Sequence, residues 1–225
     1  MDPLPPANAY PFPPESGLVE AYDATVGIIA RVPTSPTTTR YAVKCAGVMV
    51  EDFVLTAHHC VADEIEDETE VLVGFHSELV QGGSFSHRYD YAVKYSNEED
   101  DIAVLVKGPA YPVPGNTYQN APLVEGYPYA GQSIVTIGHP MLMMYSLATG
   151  IVSHPDRDGE RGGGDWFQVS ADASPGNSGG PVFTRWGEVL GIVSFVATFN
   201  GQLQSHLVGA VHTRVLVTAL EAAKQ

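Results

Sequence analysis

Positive charge is scarce in this chain: 11 Lys and Arg stand against 26 Asp and Glu, a formal net charge of −15. So acidic a protein is repelled by nucleic-acid phosphate and by anionic lipid headgroups. The balance therefore argues against both as partners and favours solubility. Long apolar runs are missing too. None approaches the ~18 residues of a membrane-spanning helix. The chain also opens without the basic stretch and apolar segment of a signal peptide. Cysteine is reduced to Cys45 and Cys60, which leaves room for one disulfide or two buried thiols and nothing more. What remains, 225 residues with 44% hydrophobic and 16% charged side chains, is enough to bury a large core in one domain or two small ones.

Residues 1–16 hold six prolines, and residues 1–23 read as a Pro-rich arm outside the core. From Ala24 the pattern changes to short β-rich runs bounded by Gly, Pro, Asn and Asp. Strands are expected near Ala24–Val32, Tyr41–Val50, Phe53–Ala57, Val71–Phe75, His87–Tyr95 and Ile102–Val106, a first unit over 24–107. Residues 108–122, rich in Pro and Gly, read as a linker. Six more strands are expected over 123–213: Gln132–Gly138, Tyr145–Ser153, Trp166–Ser170, Pro181–Thr184, Glu188–Ala197 and His206–Thr213. Val215, Leu216, Ala219 and Leu220 share one helical face, so 214–225 reads as a terminal helix. Acidic clusters at Asp63–Glu70, Glu98–Asp101 and Asp156–Glu160 read as solvated surface. The last has the alternating oxygens of a calcium loop but lacks its remaining ligand positions. The sum is an all-β protein of two barrels or sandwiches.

The chemistry centres on Ser174-Pro175-Gly176-Asn177-Ser178-Gly179-Gly180-Pro181. Small and turn-forming neighbours can hold the Ser178 hydroxyl out from the backbone beside converging N–H groups, as an acyl-transfer nucleophile requires. A serine hydroxyl is weak until a base takes its proton, and the base needs a carboxylate to orient it. Leu55-Thr56-Ala57-His58-His59-Cys60 ends one apolar strand with histidine, and Asp100-Asp101-Ile102-Ala103-Val104-Leu105 starts another with a carboxylate. The order His, Asp, Ser occurs in one of the three unrelated arrangements of such hydrolases, and no Gly-x-Ser-x-Gly elbow is present.

These three blocks resemble the signatures of the chymotrypsin/trypsin-like serine proteases over about residues 24–222. The resemblance implies two six-stranded antiparallel β-barrels followed by the C-terminal helix. It also implies a serine endopeptidase in which His59, directly before Cys60, is the base, Asp101 the orienting carboxylate and Ser178 the nucleophile. The backbone N–H groups of Gly176 and Ser178 would form the oxyanion hole. The same resemblance pairs Cys45 with Cys60 and so implies an oxidising compartment, secreted or periplasmic. It makes the strand containing Ser194, Phe195 and Val196 the partner of the substrate backbone, with Ser194 also supporting Asp101. It puts Asp172 at the floor of the specificity pocket and Ala210 at its back wall. An acid at that floor implies Lys or Arg before the cut, whereas Val196 narrows the mouth; since burying an unpaired carboxylate costs several kcal/mol, Asp172 turned away from the pocket is the alternative. Small or medium uncharged side chains are the favoured expectation.

No cofactor or metal enters this chemistry, and the partner is a polypeptide substrate. Asn177 stands where digestive relatives have an aspartate that pairs with a freed N-terminus, so no such activation switch is expected. The Gly-Asn-Ser-Gly-Gly form resembles bacterial and HtrA-like members, although 225 residues leave no room for a PDZ domain after the second barrel. The alternative is a catalytically silent binding protein on a protease fold, whose usual mark is a lost triad member.

Overall fold

The computed structural model describes residues 17–35, 37–81, 83–108, 118–157 and 165–225. Most of the linker and of the Asp156–Glu160 cluster, together with residues 1–16 of the arm, lies outside them. The first unit contains β1 (Thr25–Ser35), β2 (Thr38–Val50), β3 (Phe53–Thr56), β4 (Val71–Phe75), the short β5 (Leu79–Val80) and β6 (Ser84–Phe85), β7 (Tyr89–Asn97) and β8 (Ile102–Lys107). The second contains β9 (Ser133–Gly138), β10 (Ser146–His154), β11 (Trp166–Val169), β12 (Pro181–Thr184), β13 (Val189–Phe199) and β14 (Gln202–His212). Each unit closes into a six-stranded antiparallel barrel, in the orders β1-β2-β3-β8-β7-β4 and β10-β11-β14-β13-β12-β9. Closure gives every strand of each barrel a neighbour on both sides. The β5–β6 pair forms a separate two-stranded sheet. All twelve expected strands are present.

Three apolar clusters hold the chain together. One fills the first barrel with Val26, Ile28, Met49, Phe75, Tyr91 and Leu105, and one fills the second with Ile134, Val152, Phe167, Val182, Leu190 and Val208. The third lies between them, where Ile29, Leu55 and Ile102 meet Ile137, Phe183 and Ile192. Helix α3, counted after two short helices, spans Thr213–Ala223 and buries Val215, Leu216, Ala219, Leu220 and Ala223 in that third cluster. Its i, i+3, i+4 spacing puts those side chains on one stripe. Such burial contributes about 1.5–3 kcal/mol for each large apolar side chain. The functional residues sit on the seam that this third cluster closes.

Two elements depart from the sequence reading. Residues Leu18–Ala24, expected as the end of an arm, form helix α1. Tertiary contacts fix it: Tyr22 donates its hydroxyl to the Tyr145 carbonyl, and Asp23 bonds His76 Nδ1 at 3.0 Å. Residues Ala62–Glu66 form helix α2 inside the first acidic cluster. There Glu64 is buried, with both carboxylate oxygens on Lys44 at 2.7 and 2.9 Å. No helix among the described residues is long and apolar enough to cross a membrane.

Candidate active site

The site is assembled from both sides of the seam. β3 ends at Thr56, and the chain then tightens into a 3-10 turn over His58–Cys60. The turn is pinned by a Cys45–Cys60 disulfide to β2, with Cα atoms 6.0 Å apart and a sequence separation of 15. Closing a loop of that size stabilises a fold by about 3 kcal/mol. His59 leaves the turn with its side chain 48% exposed. Its Nδ1 lies 3.0 Å from both carboxylate oxygens of Asp101, and its backbone N–H donates to Oδ1 at 3.0 Å. His58 is half-buried instead, its Nδ1 2.6 Å from Ser96 Oγ. The two adjacent histidines therefore face different partners.

Asp101 sits just ahead of β8 with φ of +49°. A left-handed backbone is uncommon for a residue with a Cβ and persists where surrounding contacts impose it. Those contacts come from His59 and from across the seam, where the Ser194 hydroxyl donates to Asp101 Oδ2 at 2.5 Å. Burial pushes the carboxyl pKa up, but the bonds from His59 and Ser194 outweigh it and hold Asp101 below its ordinary value. A depressed folded-state pKa contributes stability above the unfolded value of about 3.9, lost as pH falls through the folded one. Ser194→Ala is thus expected to cost about 2 kcal/mol at neutral pH, the scale of a hydrogen bond to a charged group. The difference from wild type should close in acid below about pH 3.9. Denaturant titrations at pH 7 and at successively lower pH read this directly, and a gap that stayed constant would contradict it.

Ser178, half-buried, lies in the tight turn before β12. Its carbonyl accepts the Ala46 N–H of β2 at 2.9 Å, so the second barrel's serine is tied to the first barrel. Gly179 follows with φ of +75°, and a Cβ there would lie 2.2 Å from Thr56 Oγ1 and 2.4 Å from the Ala46 carbonyl oxygen. Gly179 N–H donates to the Val193 carbonyl and Val193 N–H to the Gly180 carbonyl, at 2.7 and 2.8 Å, lacing the turn to β13. Ahead of the serine, Gly176 is buried with φ of +104°. Its carbonyl accepts the His139 N–H at 3.2 Å, and the Pro175 carbonyl accepts the Met141 N–H at 2.9 Å. Asn177 is buried, and its Oδ1 has no hydrogen-bond partner among the described residues.

The residues expected around the substrate fall into three environments. Phe195 and Val196 are half-buried on β13, paired with Gly209 and Val208 of β14. The Phe195 ring covers Gly209, where a Cβ would lie 2.3 Å from it. Ala210 is fully buried in the second barrel's core, between Phe167 and Val193 in register. Asp172 is exposed, and its Oδ1 accepts the Ser205 hydroxyl across a long 3.4 Å. Its exposure spares this carboxylate the cost of burying an unpaired charge.

His59, Cys45 and Cys60 also bring an imidazole nitrogen and two sulfurs within 4.8 Å of one another. The sulfurs are joined to each other, so neither is a thiolate ligand and the trio is no metal centre. The sequence reading missed the lacing partners Ala46, Thr56 and His139. Ala46 and Thr56 act through backbone or strand position and leave no motif. His139, between Gly138 and Pro140 at the end of β9, was the readable signal.

Comparison with known proteins gives the family. A trypsin-like peptidase domain matches residues 45–192. The chain is 33% identical over 113 residues to "Serine protease HTRA3" of Mus musculus, covering 46% of this chain and 23% of that protein. It is 27% identical over 170 residues to "Probable periplasmic serine endoprotease DegP-like" of Chlamydia trachomatis, covering 72% and 30%. The chain thus spans less than a third of the length of either relative. Among solved structures, "HtrA-type protease AlgW with decapeptide" has a TM-score of 0.75 at 18% identity, over 93% of this chain and 66% of that one. The serine endoprotease from Yersinia pestis has a TM-score of 0.68 at 21% identity, over 96% and 68%. Both share the fold. With the matched domain spanning residues 45–192, His59, Asp101 and Ser178 included, the chain belongs to the trypsin-like peptidase family of serine proteases.

Proposed function

We propose that this protein is a serine endopeptidase in which Ser178, His59 and Asp101 act as nucleophile, base and orienting carboxylate. The observation that carries the reading is the His59–Asp101 pair. Both carboxylate oxygens lie 3.0 Å from Nδ1, so the proton belongs there and Nε2 is left as the acceptor. Ser178 Oγ attacks the scissile carbonyl while Nε2 takes its proton. The C–N bond breaks as the imidazolium returns that proton to the leaving amine, and water then hydrolyses the acyl-enzyme by the same relay. The N–H groups of Gly176 and Ser178 stabilise the oxyanion.

The substrate backbone adds to β13. β12 pairs with β13 only over Val189–Ile192, so the same edge from Ser194 onward is open to an extended peptide. With Asp172 turned outward and Val196 at the mouth, the specificity pocket suits small or medium uncharged side chains, Lys and Arg being the alternative. The disulfide fits an oxidising compartment, periplasmic or extracellular.

A fluorophosphonate probe is expected to add one equivalent at Ser178, located by peptide mapping, and Ser178→Ala is expected to abolish the label. A folded protein that stays unlabelled under conditions that label trypsin would sink the assignment. A peptide-library cleavage profile then reads the residue preferred before the cut.

A further inference from the structure

We infer that His139 is a positioning residue for the oxyanion hole: its ring anchors to the first barrel the loop whose His139 and Met141 N–H groups hold the Gly176 and Pro175 carbonyls. The inference rests on the reading of Gly176 as an oxyanion donor. His139 is fully buried where β9 ends. Its Nε2 lies 3.1 Å from the Val26 carbonyl of β1, and its Nδ1 accepts the Tyr145 N–H at 3.1 Å. A carbonyl only accepts and an amide only donates, so these bonds require the neutral ring with its proton on Nε2. The Tyr145 ring meets it edge-on, with centroids 4.7 Å apart. Burial agrees with the neutral form, pushing the imidazole pKa down to about 4.

The backbone of the same residue reaches the catalytic turn. His139 N–H holds the Gly176 carbonyl, and Met141 N–H, two residues on, holds the Pro175 carbonyl. In a planar trans peptide the N–H points opposite to the C=O. With the Pro175 carbonyl drawn toward Met141, the Gly176 N–H is turned away from that loop. The fit is close: a Cβ on Gly176 would lie 2.2 Å from the His139 carbonyl oxygen. The holding loop is itself under strain, with positive φ at Met141, Leu142 and Tyr145 (49°, 66° and 53°). Such backbone persists only where its surroundings impose it. Met141, Leu142 and Met143 are 73%, 54% and 60% exposed and contribute little to that constraint. The anchored His139 ring is what fixes the start of the loop.

A histidine that merely fills space would be replaced by leucine without effect on chemistry. His139→Leu, of similar size and without either ring bond, is therefore the test. Its kcat is expected to fall by roughly 10- to 100-fold, approaching the cost of losing an oxyanion donor, with KM changed by less than ~2-fold. Affinity for a peptidyl trifluoromethyl ketone, whose adduct places an alkoxide in the hole, should fall in parallel, while affinity for the product peptide holds. His139→Gln, which retains an acceptor and a donor, should recover most of the loss. Should His139→Leu not fold, His139→Asn is read the same way, since it offers Tyr145 an acceptor but is too short to reach Val26. Unchanged kcat and ketone affinity in a folded variant, or equal losses for ketone and product peptide, would overturn the inference. Wild-type protein unlabelled at Ser178 would sink the proposed function itself. A labelled, active wild type beside an unaffected His139→Leu sinks only this step.

Discussion

His59→Ala is expected to lower kcat/KM on a peptide substrate by roughly 10⁶-fold, and His58→Ala to leave it within about threefold. The two residues are neighbours of one type, so the contrast isolates geometry from composition. His59 lies against both oxygens of Asp101 through Nδ1, its Nε2 lies 3.7 Å from the Cys60 sulfur, and half its side chain is open to a substrate. Without it, the Ser178 hydroxyl has no base and attacks only as a weak neutral nucleophile. His58 is turned inward onto Ser96, where its loss removes one hydrogen bond and costs about 1 kcal/mol of stability. Steady-state kinetics on both variants, with circular dichroism to verify folding, make the measurement. Comparable losses in the two would overturn the assignment of the base.

Gly179→Ala is expected to destabilise the fold by about 4 kcal/mol or more, at the far end of single-residue effects. Its φ of +75° already disfavours any residue with a Cβ. The added carbon would also meet the Thr56 hydroxyl and the Ala46 carbonyl at 2.2 and 2.4 Å, well inside contact distance. Thr56 cannot easily swing aside, because its hydroxyl is bonded to that same carbonyl at 2.7 Å. Relief must come from separating the turn from the first barrel, which breaks the Ala46–Ser178 bond. The denaturation midpoint should fall sharply and fluorophosphonate labelling should fall with it. A loss of stability under about 1 kcal/mol would show that the seam is far more compliant than its packing implies.

The strands and the three chemical blocks were legible because short β-rich runs bounded by turn formers and short motifs are local signals. His59 and Asp101 could be picked out beside His58 and Asp100 only by resemblance; the hydrogen bonds then display why the pairs differ. Helix α1 escaped because Leu18–Ala24 follows a proline-rich stretch, and its fold is set by Tyr145 and His76, more than 50 residues away in sequence. The exposure of Asp172 was foreshadowed by the cost of burying an unpaired carboxylate, but its partner was not. Whether a carboxylate faces a pocket or water depends on backbone direction and on Ser205, far along the chain. His139 lay in plain view between a glycine and a proline, yet its role depends on Val26, Tyr145 and Gly176. No local pattern encodes those.

The bond from Ala46 to Ser178 has a bearing on how such a chain is made. Synthesis runs from the N-terminus, and domains tend to fold as they emerge. The first barrel carries His59 and Asp101 and appears without a nucleophile. The second brings Ser178, and also Ser194, the hydroxyl that reaches Asp101. Until the later half has folded and docked, the earlier half is an inert protein with a half-oriented histidine. On the roles proposed for these residues, the capacity to cut is deferred until the second barrel is in place.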